Sequence, residues 1–112
     1  MDFNADKPIF MQIADSLCDR ILSGELKGED RIPSVREFGA DIGVNPNTVM
    51  RTYERLTADG IIYNKRGIGY FVAPDALDKT REAQRKDFLE KDVPAIRKRL
   101  ELLGLDASVF NK

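Results

Sequence analysis

The sequence has no histidine, no tryptophan, a single cysteine and no long apolar run. Each gap closes a class of function. Without His there is no Ser-His-Asp triad and no Cys-His pair. Cys18 cannot close an internal disulfide, and no Cys/His set frames a zinc site. No stretch approaches the ~20 apolar residues that span a bilayer, so no membrane partner is expected. The start, Met1 to Asp6, is polar and acidic and lacks the basic and apolar regions of a signal peptide, which places the chain in the cytoplasm. There are 19 Asp and Glu residues, but no spacing pairs them in a cleft. An enzyme is the distant reading, and neither metal nor cofactor is implied.

Charge is nearly balanced, at net −1, but unevenly spread. Residues 1–30 carry three basic and seven acidic side chains, residues 31–72 six and four, and residues 73–112 nine and eight. The acid lies at the N-terminal end and the middle is mildly basic. Distribution matters more than the sum for a chain that meets a polyanion.

Apolar pairs recur every four residues at Ile9/Phe10, Ile13/Ala14, Leu17/Cys18 and Ile21/Leu22. This predicts a helix from Pro8 to about Ser23, ended by Gly24. Cys18 lies on the stripe and reads as a core hydrophobe rather than a reactive thiol. Gly28 to Pro33 reads as a turn. Ser34-Val35-Arg36-Glu37 is a capping box that opens a short helix, Val35 to Ile42, stopped by Gly43. Asn45 then caps a third helix that runs to about Asp59, with Pro46 at its first position, Val44 stapled onto Val49, and Gly60 after it. Two short helices around a tight Gly-containing turn form a helix-turn-helix.

The period changes at residue 61. Ile61 to Lys65 and Tyr70 to Ala73 read as strands around Arg66-Gly67-Ile68-Gly69, a hairpin wing. After Pro74, with Asp75 as a cap, residues 76–91 are highly charged. Pro94 is expected to interrupt or kink the helix, with Asp92 as a fresh cap. Leu89, Val93, Ile96, Leu100 and Leu103 are spaced 4, 3, 4, 3, a heptad-like seam that an appendage this thin cannot bury without a partner. Gly104 ends this helix, and Leu105 to Phe110 is one last turn. The expected architecture is α+β: a winged helix-turn-helix domain over 1–74, then a two-helix dimerisation arm over 75–112.

The start of the third helix offers Asn45, Asn47 and Thr48, followed by Met50 and Arg51. Asn suits an adenine edge, Arg a guanine edge, and Thr a base or a phosphate. Ser34 and Arg36 stand at the start of the second helix, and Lys65 and Arg66 at the wing turn, where glycines permit close approach to a backbone. Each residue taken alone has a plainer reading. Asn45-Pro46 is a good helix start with no ligand. Arg36 and Arg51 can be solvated or pair with Glu37, Asp41 or Glu54. Lys65-Arg66 and Arg97-Lys98-Arg99 read as ordinary solvated charge, and Gly67-x-Gly69 has no dinucleotide-binding context. The arrangement, polar groups at two helix starts and a hairpin tip, carries the DNA reading.

The motifs in order are Pro8-Ile9-Phe10-Met11-Gln12-Ile13, Ile32-Pro33-Ser34-Val35-Arg36-Glu37, Gly43-Val44-Asn45-Pro46-Asn47-Thr48-Val49, Tyr53-Glu54-Arg55-Leu56, Gly60-Ile61-Ile62 and Gly67-Ile68-Gly69-Tyr70-Phe71-Val72. Together they resemble the GntR family of bacterial transcription regulators across nearly all of residues 8–73. The larger members carry an effector-binding domain, whereas only residues 74–112 follow Ala73 here. That size, with Asn45 to Arg51 and the tail Phe88-Leu89, Pro94 and Leu102 to Leu105, is similar to the small YtrA subfamily.

The resemblance implies a homodimeric repressor of a pseudo-palindromic operator, in a subfamily often found near ABC transporter genes. It makes Arg36 a base contact and Ser34 a backbone contact. It makes Asn45, Asn47 and Thr48 recognition-helix contacts, with Arg51 a weaker one, and it puts Arg66 and Gly67 in the minor groove. The dimer seam is Leu89, Val93, Ile96, Leu100 and Leu103. One departure is Asn45-Pro46, where a Ser-Arg pair is common in the wider family, so a base-reading Arg is absent at Pro46. A small-molecule effector, where one acts, has to bind between wing domain and arm or in the dimer cleft. The rival reading is a winged helix that binds a protein and reads no DNA sequence.

Overall fold

A computed structural model describes residues 7–111; the acidic start, Met1 to Asp6, lies outside them. Two compact units divide at Thr80/Arg81. The first holds helix α1 (Ile9–Leu22), strand β1 (Arg31–Ile32), helices α2 (Val35–Ile42) and α3 (Pro46–Ala58), strands β2 (Ile62–Lys65) and β3 (Gly69–Val72), and the first turn of α4 (Ala76–Asp87). Ala76 and Thr80 on that turn are buried in this unit, so it extends past the expected end at Pro74.

The stripe on α1 buries Ile13, Ala14, Leu17 and Ile21, with Pro8 in the cap position before the first turn. Cys18 is half-buried against the same core, and burial chiefly pushes its thiol up to about 11, which keeps it protonated and inert. Helix α3 faces this core with Val49, Thr52, Tyr53 and Leu56. Thr52 Oγ1 donates to the Phe10 carbonyl at 2.8 Å, which ties α3 to α1. The capping box on α2 is formed in both directions, and Gly43 ends the helix at φ +70°. Within α2 a Cβ at Gly39 would stand 2.7 Å from the Val44 carbonyl oxygen, so only glycine lets the turn into α3 pass this close.

The sheet has strand order β1-β3-β2, all antiparallel. Strand β1 lies where a turn was expected. Ile32, Ile62 and Val72 are buried, and Tyr70 packs against the core. Tyr53 joins this sheet to both helices. Its ring makes edge contacts with Phe38 at 6.2 Å and Tyr70 at 4.9 Å, and its hydroxyl donates to the Pro33 carbonyl at 2.7 Å.

The second unit continues α4 through a π turn (Phe88–Asp92) into α5 (Val93–Leu102). The expected interruption at Pro94 takes the form of this π turn, without a fresh helix start. Asp92 is helical and makes no side-chain cap bond. Pro94 has no N–H to give and its ring crowds the carbonyl four residues back. The chain absorbs this by widening one turn, with the Val93 N–H donating to the Phe88 carbonyl. Leu103 and Gly104 end the helix, with Leu105 N–H donating to the Leu100 carbonyl at 2.8 Å, and a 3-10 turn (Ala107–Asn111) follows.

Tyr53→Phe keeps the ring and orphans the Pro33 carbonyl. It is expected to cost about 1 kcal/mol, read as a lower urea midpoint with unchanged slope; an unchanged midpoint would show the hydroxyl bond adds nothing.

Candidate nucleic-acid interface

Helix α3 presents its first turn to solvent. Asn45, Asn47, Met50 and Arg51 are exposed and Thr48 is half-buried. Asn45 Oδ1 accepts from the Asn47 N–H at 2.8 Å, so its oxygen serves as the cap and its amide remains to donate. Asn47 has no side-chain partner among the described residues. Arg51 places its guanidinium 4.5 Å from the Phe10 ring centre, a cation–π contact that aligns the side chain without neutralising it.

Ser34 is half-buried at the start of α2. It accepts from the Glu37 N–H at 3.1 Å, while its own N–H donates to Glu37 Oε1 at 3.3 Å. Arg36, in the first turn of α2, is exposed and makes no ion pair with Glu37 or Asp41. The wing follows from strand register. Lys65 pairs with Gly69, leaving Arg66, Gly67 and Ile68 as the tip, with Gly67 at φ +79° and the Ile68 N–H donating to the Lys65 carbonyl at 2.9 Å. Arg66, Gly67 and Ile68 are all exposed.

The ion pairs fall elsewhere. Lys7–Asp15, Arg20–Glu25, Arg55–Asp59, Lys79–Asp75 and Lys91–Asp87 are formed. Among the described residues Arg31, Arg36, Arg51, Lys65 and Arg66 form none. The cations near the two helix starts and the hairpin therefore stand outside the ion pairs, a face suited to phosphate and base edges. Sequence reasoning missed Arg31. Its guanidinium lies beside Gly69, where a Cβ would be 3.2 Å from Nε, and it needed β1 to bring it there.

The second unit carries an apolar groove of about 510 Å³. Val93, Ile96 and Leu100 of the expected seam line it. Leu89 and Leu103 do not, and both are exposed. Their places are taken by Phe88 and by Leu105 and Phe110. The π turn explains the first exchange. One extra residue in the turn aligns Phe88, five before Val93, with the face that Leu89 would occupy in a regular helix.

A winged helix with this polar face is a DNA-binding regulator of transcription. The family model for bacterial regulatory proteins of the gntR family matches residues 10–72, and the chain belongs to that family. It is 39% identical to the HTH-type transcriptional regulator YhcF of Bacillus subtilis (strain 168), over 92% of this chain and 84% of that protein. It is 33% identical to the HTH-type transcriptional repressor YtrA of the same organism, over 96% of this chain and 76% of that one. A crystal structure of a GntR-family transcriptional regulator from Bacteroides thetaiotaomicron matches at TM-score 0.73 with 43% identity, covering 93% of this chain and 90% of that one. The family is one of regulators, not enzymes, and no described helix is long and apolar enough to cross a membrane.

The cap of α2 is titratable. Hydrogen bonds from Ser34, its side chain first and its N–H second, with the Arg31 charge adding, hold the Glu37 carboxyl below the usual carboxylate range. A lowered folded value gives stability that is present above the unfolded pKa and lost as pH falls through the folded one. Urea midpoints measured from neutral pH down to about pH 3 should therefore fall more steeply for the wild type than for Glu37→Ala. Parallel curves would show the box contributes nothing to the acid limb.

Proposed function

We propose that the chain represses transcription as a homodimer by binding a pseudo-palindromic operator. In this reading Arg36 and Asn47 contact base edges, Asn45, Thr48 and Arg51 support the recognition helix on the major groove, Ser34 holds the backbone, and Arg66 and Gly67 enter the minor groove. The observation that carries it is the set of unpaired cations and free amides at two helix starts and one hairpin tip. The repressor sign is supported by the name of the Bacillus subtilis relative YtrA. The likeness to the small YtrA subfamily supports transporter genes as its targets.

The arm supplies the two-fold axis. Phe88, Ile96, Leu105 and Phe110 are between 40% and 65% exposed on a unit too small to cover them. Arg97 and Glu101 flank the same groove. Half-sites about 10 bp apart, or a larger spacing set by the arm, are expected.

Selection of bound duplexes from a random library at near-physiological salt tests the reading. A two-fold-symmetric motif is expected, and Arg36→Ala should cost about 1–3 kcal/mol and relax one position per half-site. Equal loss on every sequence would remove Arg36 from base reading. No motif from folded protein would favour a winged helix that serves a protein partner.

Leu100→Asp places a charge in the groove. It is expected to give a monomer by light scattering with much weaker binding to the selected duplex; a mutant that stays dimeric would put the interface elsewhere.

A further inference from the structure

We propose that Arg31 and Lys65 together form a seat for a backbone phosphate of duplex DNA on the outer face of the wing sheet. The proposal rests on the DNA-binding reading above. Strand register fixes the face. Arg31 and Tyr63 both pair with Phe71, and Lys65 pairs with Gly69, so these five positions alternate with the core-facing Ile32, Ile62, Tyr70 and Val72.

Both cations lie on this face. The Lys65 ammonium lies 5.0 Å from the Phe71 ring centre, and that ring is stacked on Tyr63 at 5.9 Å. The Arg31 guanidinium lies beside Gly69, whose φ of +140° is a glycine conformation and whose missing side chain leaves the backbone bare between the two charges.

Neither cation forms an ion pair among the described residues, although the Arg31 charge acts on the nearby Glu37 carboxylate. The Glu29 carboxylate accepts from the Tyr63 hydroxyl at 2.6 Å, and the Glu37 carboxylate is held in the α2 cap. Asp41 lines the groove on which Arg31 borders, without an ion pair to it. Two like charges on one small sheet face repel, and an anion between them reverses the sign of that term. A phosphate suits the pair: the guanidinium fork takes two oxygens and the ammonium acts as a point charge.

Position identifies the source of the phosphate. Arg31 precedes the cap Ser34 by three residues on the chain, and Lys65 precedes the wing tip. A duplex that touches both the start of α2 and the wing tip must carry a strand past the residues between them. The seat therefore reads no sequence and fixes the wing against the backbone.

The test measures affinity of the full chain for the selected duplex from about 50 to 200 mM salt. Arg31→Ala and Lys65→Ala should each flatten the log–log salt slope by about one, weaken all duplexes alike and leave the enriched motif unchanged. Arg31→Lys should keep the slope, and thermal unfolding checks that each variant is folded. Unchanged slopes in both Ala variants, or a changed motif, would overturn the seat. Inorganic phosphate replacing chloride at equal ionic strength should not displace the duplex; displacement would make this a free-phosphate site and overturn the proposal. If the wild type enriches no duplex, the DNA reading falls and takes the seat with it. If the wild type binds, Arg36→Ala relaxes the motif and the slopes stay unchanged, the seat alone falls.

Discussion

The interface depends on one buried side chain, Tyr53. It is inaccessible to solvent, with its ring edge-on to Phe38 of α2 and Tyr70 of β3 and its hydroxyl on the Pro33 carbonyl just before α2. One residue of the recognition helix thus locates the other two elements that bear candidate DNA contacts. Its neighbours extend the arrangement. Thr52 bonds the Phe10 carbonyl and Arg51 stacks on the Phe10 ring, so three successive residues of α3 fix it to α1, to α2 and to the wing. Burial raises the Tyr53 hydroxyl above its ordinary pKa, so it stays a neutral donor across the working pH range.

Net charge is a poor guide to this surface. The chain is net −1, yet basic residues outnumber acidic ones between 31 and 72. The two ends of the first unit differ in pairing as well as in number. Lys7 and Arg20 are joined to Asp15 and Glu25, whereas Arg31, Arg36 and Arg66 form no ion pair among the described residues. Exposed ion pairs contribute little to stability. Leaving cations unpaired therefore costs the fold little, while a polyanion gains from every one of them through released counterions.

Elements with local signals were legible in the sequence. The stripe on α1, the capping box of α2, the Asn45-Pro46 start of α3 and the glycine wing tip each depend on residues a few positions apart, and each formed within a residue or two of expectation. What the sequence hid depends on distant partners. Strand β1 has two residues, too few to show alternation, and exists because β3 offers Phe71 and Tyr70 to pair with. Arg31 rides on that strand, so its approach to the wing was invisible with it. Gly39 carries no local signal within its helix; the need for glycine there comes from the Val44 carbonyl packed against it. The roles of Ser34, Asn45, Asn47 and Thr48 toward DNA stay proposals because a cap and a contact use the same residue types.

In the arm, an even apolar spacing describes only part of the groove. Spacings of 4, 3, 4, 3 from Leu89 to Leu103 describe one stripe only if every turn has the same number of residues. Pro94 breaks that condition without breaking the helix. Its missing N–H and its ring make a regular turn unfavourable, and the i, i+5 bond from Val93 to Phe88 replaces it. One residue is absorbed, and positions before the turn shift by one relative to those after it. Phe88 therefore joins Val93, Ile96 and Leu100 along the groove, while the chain reversal at Gly104 brings Leu105 and Phe110 to its other side. The apolar face of the arm is set by a proline and a glycine, two residues that a heptad count ignores.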